Sequence, residues 1–257
     1  MMIQGDDMRF SRTELLAGHE GAGRLHHATV AVFGIGGVGS YALEAIARAG
    51  VGNIVIVDFD TVEISNVNRQ LIALDSTIGR PKVEAAAARL VDINPDVHVT
   101  ALNEYISSET LDGMLRHGVE YAVDAIDTLE PKIHLIQTLL ARGIPFVSCM
   151  GSARSIDPCS VEVCDISETK NCPHARTVRR KLRECGVYKG VRCVYSSDRM
   201  KTAPLIPAND EDHRFSAAPE EGRRPMGTIS YVPGIIGLTA AGLILQDILF
   251  PQGRGKK

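Results

Sequence analysis

The chain has 257 residues, of which 44% are hydrophobic and 23% charged, with a formal net charge of -3. These are ordinary globular values that exclude collagenous and broadly disordered classes, and the length allows one α/β core carrying a sizeable insertion. The slight excess of acid argues against nucleic-acid binding through the whole surface and leaves room only for a local basic patch.

In chain order, Phe10 to Leu25 has helical periodicity, with Arg9 and Arg12 near its start, and reads as an amphipathic cap. Thr29 to Phe33 is a short apolar run expected to be a buried strand. Gly34, Gly36, Gly37 and Gly39 follow at once, then a helix over Tyr41 to Ala49 and a second strand over Val51 to Val57 that ends at Asp58. Strand, glycine turn, helix, strand and a late acidic residue are the layout of a nucleotide-binding crevice. Residues without Cβ keep the turn tight and let backbone N–H groups at the helix N-terminus reach phosphate oxygens.

From Thr61 the chain runs through the polar VEISNVNRQ, and Gly79, Arg80 and Pro81 break it again before a helix over Lys82 to Val91. A strand over Val97 to Leu102, a helix over Ser108 to Arg116, a strand over Tyr121 to Ile126 ending at Asp127, a helix over Ile133 to Ala141 and a strand over Pro145 to Cys149 complete the first half. Alternation of this kind predicts a Rossmann-like α/β fold, a doubly wound, mostly parallel sheet. Ligands of such sheets sit beyond the carboxyl ends of the strands, where the glycine turn, Asp58 with Asp60, and Asp127 all fall.

Beyond Gly151 the pattern changes to a C-terminal extension with additional strand character. Val161 to Ile166 reads as a strand, and Arg176 to Arg183 (RTVRRKLR) places five cations in eight positions. Ser196 to Met226 reads as a long loop, and a helix from Ile235 returns to the core. The apolar stretch Ile229 to Phe250 reads as that buried helix, its part after Pro233 being short for a membrane span. Six cysteines never form a CxxC pair, so no zinc is expected. They read as reduced thiols of a cytoplasmic protein, and Met1 to Met8 is unlike a secretory or mitochondrial leader.

Taken together, DFD, N-x-N-R-Q, GxxK and D-A-I-D resemble the adenylating family that includes the ubiquitin-activating enzymes and the bacterial adenylyltransferases of sulfur-carrier proteins. The resemblance covers about Arg9 to Gly151. It implies that the turn glycines and Asp58 hold the nucleotide, with Asp60 close to Asp58 at the ribose. It further implies that Asn66, Arg69 and Lys82 hold the triphosphate of ATP, that Asp127 holds Mg²⁺, and that Arg12 reaches the site of a partner subunit in a homodimer. Such cations would offset charge building on the α-phosphate and on departing pyrophosphate as a weakly nucleophilic carboxylate attacks.

In the second half, IDPCSVEV, KLRECGVYKGVRCVYSSD and PMGTISYVPGIIGL look like the tRNA threonylcarbamoyladenosine dehydratases. That resemblance implies a single domain over 1–257, with a nucleotide-binding half at about 9–151 and a tRNA-facing half at about 152–250. It also implies a tRNA substrate, phosphate contacts from Arg176, Arg179, Arg180, Lys181, Arg183, Lys189 and Arg192 to the anticodon stem, and sulfur-relay proteins as partners. Tyr188 and Tyr195 are candidates for base stacking. Some relatives carry a cysteine in the last segment, where this chain has Gly227, Thr228 and Ser230. Two other readings stay open on the residues: an adenylyltransferase acting on the C-terminal Gly-Gly of a ubiquitin-like carrier, and a nicotinamide-dependent oxidoreductase.

Overall fold

The computed structural model describes residues 8–198 and 227–251. Their framework is a seven-stranded sheet formed by β1 (Thr29–Phe33), β2 (Asn53–Val57), β3 (His98–Leu102), β4 (Tyr121–Asp124), β5 (Phe146–Cys149), β6 (Val161–Asp165) and β7 (Arg192–Ser196). The strand order is β3-β2-β1-β4-β5-β7-β6, parallel throughout except that β6 runs antiparallel to β7 at the edge.

Strand period decides which layer each side chain serves. Val30, Val32, Ile54 and Ile56 point into one core with α1 (Ser11–His27), α2 (Gly39–Arg48), α3 (Lys82–Ile93) and α7 (Tyr231–Leu249). Ala31, Phe33, Val55 and Val57 point into the other, with α4 (Leu111–Leu115), α5 (Leu129–Arg142) and α6 (Pro173–Glu184). Near-continuous apolar strands are what a sheet covered on both faces requires.

Two elements depart from the sequence reading. The run RCVYS is β7, inserted between β5 and β6 with residues 193–196 buried. It shortens the expected loop at Ser196, and Ser197 and Asp198 are also tied down; the remainder of that loop, 199–226, lies outside the described residues. The last helix begins at Tyr231, ahead of Pro233, which sits in the first turn where its missing N–H would have no intrahelical acceptor. α7 is the one described helix long and apolar enough to cross a membrane. Here it is a core element: Val232, Ile236, Ala240 and Ile244 are fully buried, and a Cβ on Gly237 would fall 2.2 Å from Val38 O of α2.

Candidate active site

The site is built on the turn between β1 and α2. Gly34 lies at φ +87°, which L side chains rarely adopt, and a Cβ there would lie 2.8 Å from Ala125 O. Gly39 is pressed closer still, 1.8 Å separating its would-be Cβ from Gly34 O. Gly36 differs, since a Cβ would meet nothing within 4 Å. No side chain caps the N-terminus of α2, so its first N–H groups and its dipole are directed at the carboxyl edge of the sheet.

At the end of β2, Asp58 is buried, with Oδ2 accepting from Ile35 N–H at 2.6 Å and Oδ1 from Asp60 N–H at 2.9 Å. Burial pushes its carboxyl above the ordinary range, against the pull of Lys82 and of these two N–H donors. Lys82 opens α3 and is itself buried. Its Nζ lies 2.5 Å from Asp60 Oδ2 and 4.0 Å from Asp58 Oδ1. Asp60 O also accepts from Lys82 N–H at 2.9 Å, so backbone and side chain hold the helix start against the DFD strand end.

The loop after β2 carries Asn66 and Arg69. Asn66 is buried, and its side chain makes two local hydrogen bonds, Oδ1 accepting from Glu63 N–H and Nδ2 donating to Ser65 Oγ. Arg69 is the residue that faces the nucleotide turn: its Cγ lies 3.3 Å from the position a Cβ on Gly37 would take, and its Nη1 donates to Ser65 O and Asn68 Oδ1. Ser40 Oγ accepts from Leu71 N–H, joining this loop to α2, and Asn68 donates to Thr228 O just ahead of α7.

Asp127 lies three residues past β4, exposed and without an ion-pair partner among the described residues. Sequence reasoning missed its neighbour. Asp124, the first aspartate of D-A-I-D, is fully buried with Lys132, whose Nζ reaches Asp124 Oδ2 at 2.9 Å, Ile126 O at 3.0 Å and Cys149 O at 2.8 Å. Ser148 donates to the same carboxylate at 2.6 Å. This knot ties the carboxyl ends of β4 and β5 together beneath Asp127. A second missed feature is the edge-to-face pair of Phe59 and Tyr105, 5.1 Å apart and both half exposed beyond β2 and β3, alongside Asp58.

Arg12 is not part of this assembly in its own chain. Arg9 donates to Ile93 O at the far end of α3, and Phe10 packs on Gly50 ahead of β2, so α1 starts at the amino edge of the sheet, the opposite edge from Asp58. The basic residues divide as well. Arg176, Arg180, Arg183 and Lys189 are exposed, whereas Arg179 donates through Nη1 to Ile166 O and Thr169 O. Arg192 stands apart: it pairs with Asp247 of α7 at 2.5 Å in a largely buried bridge. Burial raises the thiol of Cys149 to about 12 and pushes that of Cys193 up as well, so neither is a nucleophile near neutral pH.

A glycine turn at a helix N-terminus, a carboxylate at the next strand end and two cations beside them define a nucleotide-binding α/β protein. The chain belongs to the ThiF family, whose model matches residues 10–254. It is 43% identical to the tRNA threonylcarbamoyladenosine dehydratase of Bacillus subtilis over 244 residues, 94% of each chain. The crystal structure of the Escherichia coli tRNA N6-threonylcarbamoyladenosine dehydratase in complex with ATP matches with a TM-score of 0.84 at 31% identity, covering 99% of this chain and 100% of that one. Similarity to the molybdopterin-synthase adenylyltransferase of Salmonella typhimurium, 34% over 143 residues, stops at 55% of the chain.

Proposed function

We propose that this protein is an ATP-dependent tRNA threonylcarbamoyladenosine dehydratase. The observation that carries the reading is the gathering of the uncapped α2 N-terminus, Asp58, Lys82 and Arg69 at one edge of the sheet, with Asp127 two strands along. Asp58 takes the ribose hydroxyls, the turn N–H groups cradle phosphate, and Lys82 and Arg69 offset charge on the triphosphate. Asn66 supports Arg69, whose N–H donates to Asn66 O.

The donor chemistry fits magnesium. An exposed carboxylate beside a phosphate site is what Mg²⁺ uses, one or two carboxylates plus phosphate oxygens and water. Asp127 would hold it, and bound there it would neutralise charge on the departing pyrophosphate.

The carboxylate of the threonylcarbamoyl group on adenosine 37 attacks the α-phosphorus and pyrophosphate leaves. The acyl adenylate then closes on the group's own amide and AMP departs, with net loss of water. Ring closure is intramolecular, so proximity supplies rate and no enzyme nucleophile is needed; the high thiol pKa of both Cys149 and Cys193 accords with that.

The chain works in the cytoplasm as a homodimer, Arg12 of each subunit serving the other's site. The nucleotide half is about 9–151, and the tRNA-facing half about 152–250 uses Arg176, Arg179, Arg180, Lys181, Arg183 and Lys189. Sulfur-relay proteins are candidate partners. The test is AMP release from ATP in the presence of tRNA carrying threonylcarbamoyladenosine. Turnover should require that tRNA; pyrophosphate exchange driven by a peptide ending in Gly-Gly and indifferent to tRNA would replace this reading with carrier activation.

A further inference from the structure

We propose that Cys164 and Cys193 form a thiol-modification site, in which exchange with a low-molecular-weight disulfide closes a reversible cross-strand disulfide between β6 and β7. Neither residue takes part in the reaction proposed above, so the pair stands or falls independently of the nucleotide site.

Strand register brings the two thiols together. β6 and β7 run antiparallel with Cys164 directly opposite Cys193, between the pairs Val163 with Val194 and Asp165 with Arg192. Opposite residues share a face of the sheet. Both thiols therefore lie in the layer that α4, α5 and α6 cover, Cys193 within the core and Cys164 at its margin. Just beyond the strand ends, Ser197 N–H donates to Ser160 O at 2.9 Å and Ile166 N–H to Val191 O at 2.8 Å. Hydrogen-bonded and open pairs alternate along an antiparallel ladder, and the cysteines stand an even number of residues from both of these bonds, so they are a hydrogen-bonded pair.

Such a pair has Cα atoms about 5.5 Å apart, within the span a disulfide accepts. Its Cβ atoms stand about 4.5–5.5 Å apart, against about 3.5–4.5 Å in a formed bridge. Closure needs a small inward shift and leaves strain, and a strained disulfide is readily reduced. The link is thus suited to reversible use in a reducing compartment, where lasting disulfides are rare.

The two thiols are reached in sequence. Cys193 is fully buried, its S–H donating to Val191 O at 3.4 Å. Cys164 is half-buried and lines a groove of about 630 Å³ with Lys170, Arg179 and Arg183, open enough to admit a small disulfide. The Cys164 thiolate attacks that molecule, its S–S bond breaks, one small thiol leaves and Cys164 holds the other as a mixed disulfide. Cys193 Sγ then attacks Cys164 Sγ and expels the second small thiol, the Cys193 proton passing to the departing sulfur. Two protein thiols are oxidised and one small disulfide is reduced to two thiols, with no further oxidant. Burial raises both thiols above the ordinary range, so closure is slow near neutrality and quickens as pH rises. Once formed, the bond holds edge strand β6 to β7 and makes the chain between them, α6 included, a closed loop.

The test uses the whole chain carrying Cys159→Ser and Cys185→Ser, which removes the two exposed thiols, incubated with glutathione disulfide at neutral and mildly alkaline pH, then quenched, alkylated and read by intact and peptide mass spectrometry. The expected product is lighter by two hydrogens, keeps no glutathione, joins the Cys164 and Cys193 peptides, forms faster at the higher pH and reverts with dithiothreitol. On the same background, Cys193→Ala should stop with glutathione retained on Cys164. Cys164→Val, close in volume and at the margin of the core, should fold normally and lose no hydrogens. Glutathione retained on Cys164 while Cys193 is intact, a link through any other cysteine, or no reaction at either pH overturns the pairing, whatever the protein does with ATP and tRNA.

Discussion

The Nζ of Lys82 lies 2.5 Å from Asp60 Oδ2 and 4.0 Å from Asp58 Oδ1, so one buried ammonium serves two carboxylates on either side of Phe59. The pairing places the cation at the carboxyl end of β2, where its attraction for Asp58 works against burial and against the repulsion from Asp60.

Lys82→Ala should therefore reduce AMP formation by about 10²- to 10³-fold, the scale for removing a charge-stabilising donor. Asp60 is half exposed and can be hydrated once unpaired, so circular dichroism should still report a folded protein. Unchanged turnover would take Lys82 out of the mechanism.

The glycine turn separates fold from ligand. Gly39→Ala forces a Cβ to within 1.8 Å of Gly34 O and should prevent normal folding. Gly36→Ala meets no protein atom within 4 Å and should fold with a near-normal melting temperature, yet lose ATP binding because the methyl stands where phosphate approaches. Calorimetric titration of ATP into folded Gly36→Ala checks this, and normal affinity would place the phosphates elsewhere.

Arg12→Ala and Lys82→Ala should each be nearly inactive alone. If Arg12 completes the partner's site, mixed dimers contain one intact site, and random pairing should recover roughly a quarter of the wild-type rate. Mixing after dissociation and measuring AMP release decides; no recovery would mean that both residues serve one chain.

Glu44 on α2 lies between Arg89 and Arg48, its carboxylate 2.6 Å from Arg89 Nε and 2.7 Å from Arg48 Nε. Burial would raise its carboxyl, but the bonds from Arg89 and Arg48 prevail and hold it below the ordinary value. A depressed folded-state value means stability that is present above the unfolded pKa of about 4.3 and lost as pH falls through the lower folded value. Glu44→Gln should cost about 1 kcal/mol at pH 7, given the partial exposure of the arginines, and the difference from wild type should vanish toward pH 3 in urea melts. A gap that persists in acid would point to packing.

Lys132→Met should be the more damaging change to stability, about 3–5 kcal/mol, because it strands the fully buried Asp124. Adding Asp124→Leu should recover part of the loss. Urea unfolding followed by circular dichroism measures both, and a double variant no better than the single would show that the Lys132 contacts to Ile126 O and Cys149 O matter more than the charge pair.

Much of the nucleotide half was legible because its signals are local. Apolar runs of strand length, a turn in which Gly34 and Gly39 leave no room for a Cβ, and an acidic residue at a strand end are all written in neighbouring positions. β7 was not legible, since RCVYS is short, begins with arginine and follows a basic segment; only its neighbours on both sides make it a buried strand. The ion pair of Arg192 was hidden with it, because its partner Asp247 is 55 residues away. Asp124 and Lys132 escaped notice for a similar reason: a buried lysine is recognised by the carbonyls around it, which come from the ends of β4 and β5. The local hydrogen bonds of Asn66 to Glu63 and Ser65 are not visible in sequence, and Phe59 with Tyr105 meet only because β2 and β3 are adjacent.

Gly39 packed against the carbonyl of Gly34, itself held against Ala125, leaves the first loop almost no alternative shape. A nucleotide entering such a cradle gives up its own freedom but does not have to immobilise the protein, so its affinity is set by charge and hydrogen bonding and escapes the entropic penalty of loop ordering. Under the proposed function, discrimination between triphosphate and monophosphate would then fall to the side chains of Arg69 and Lys82 and not to any reshaping of the backbone.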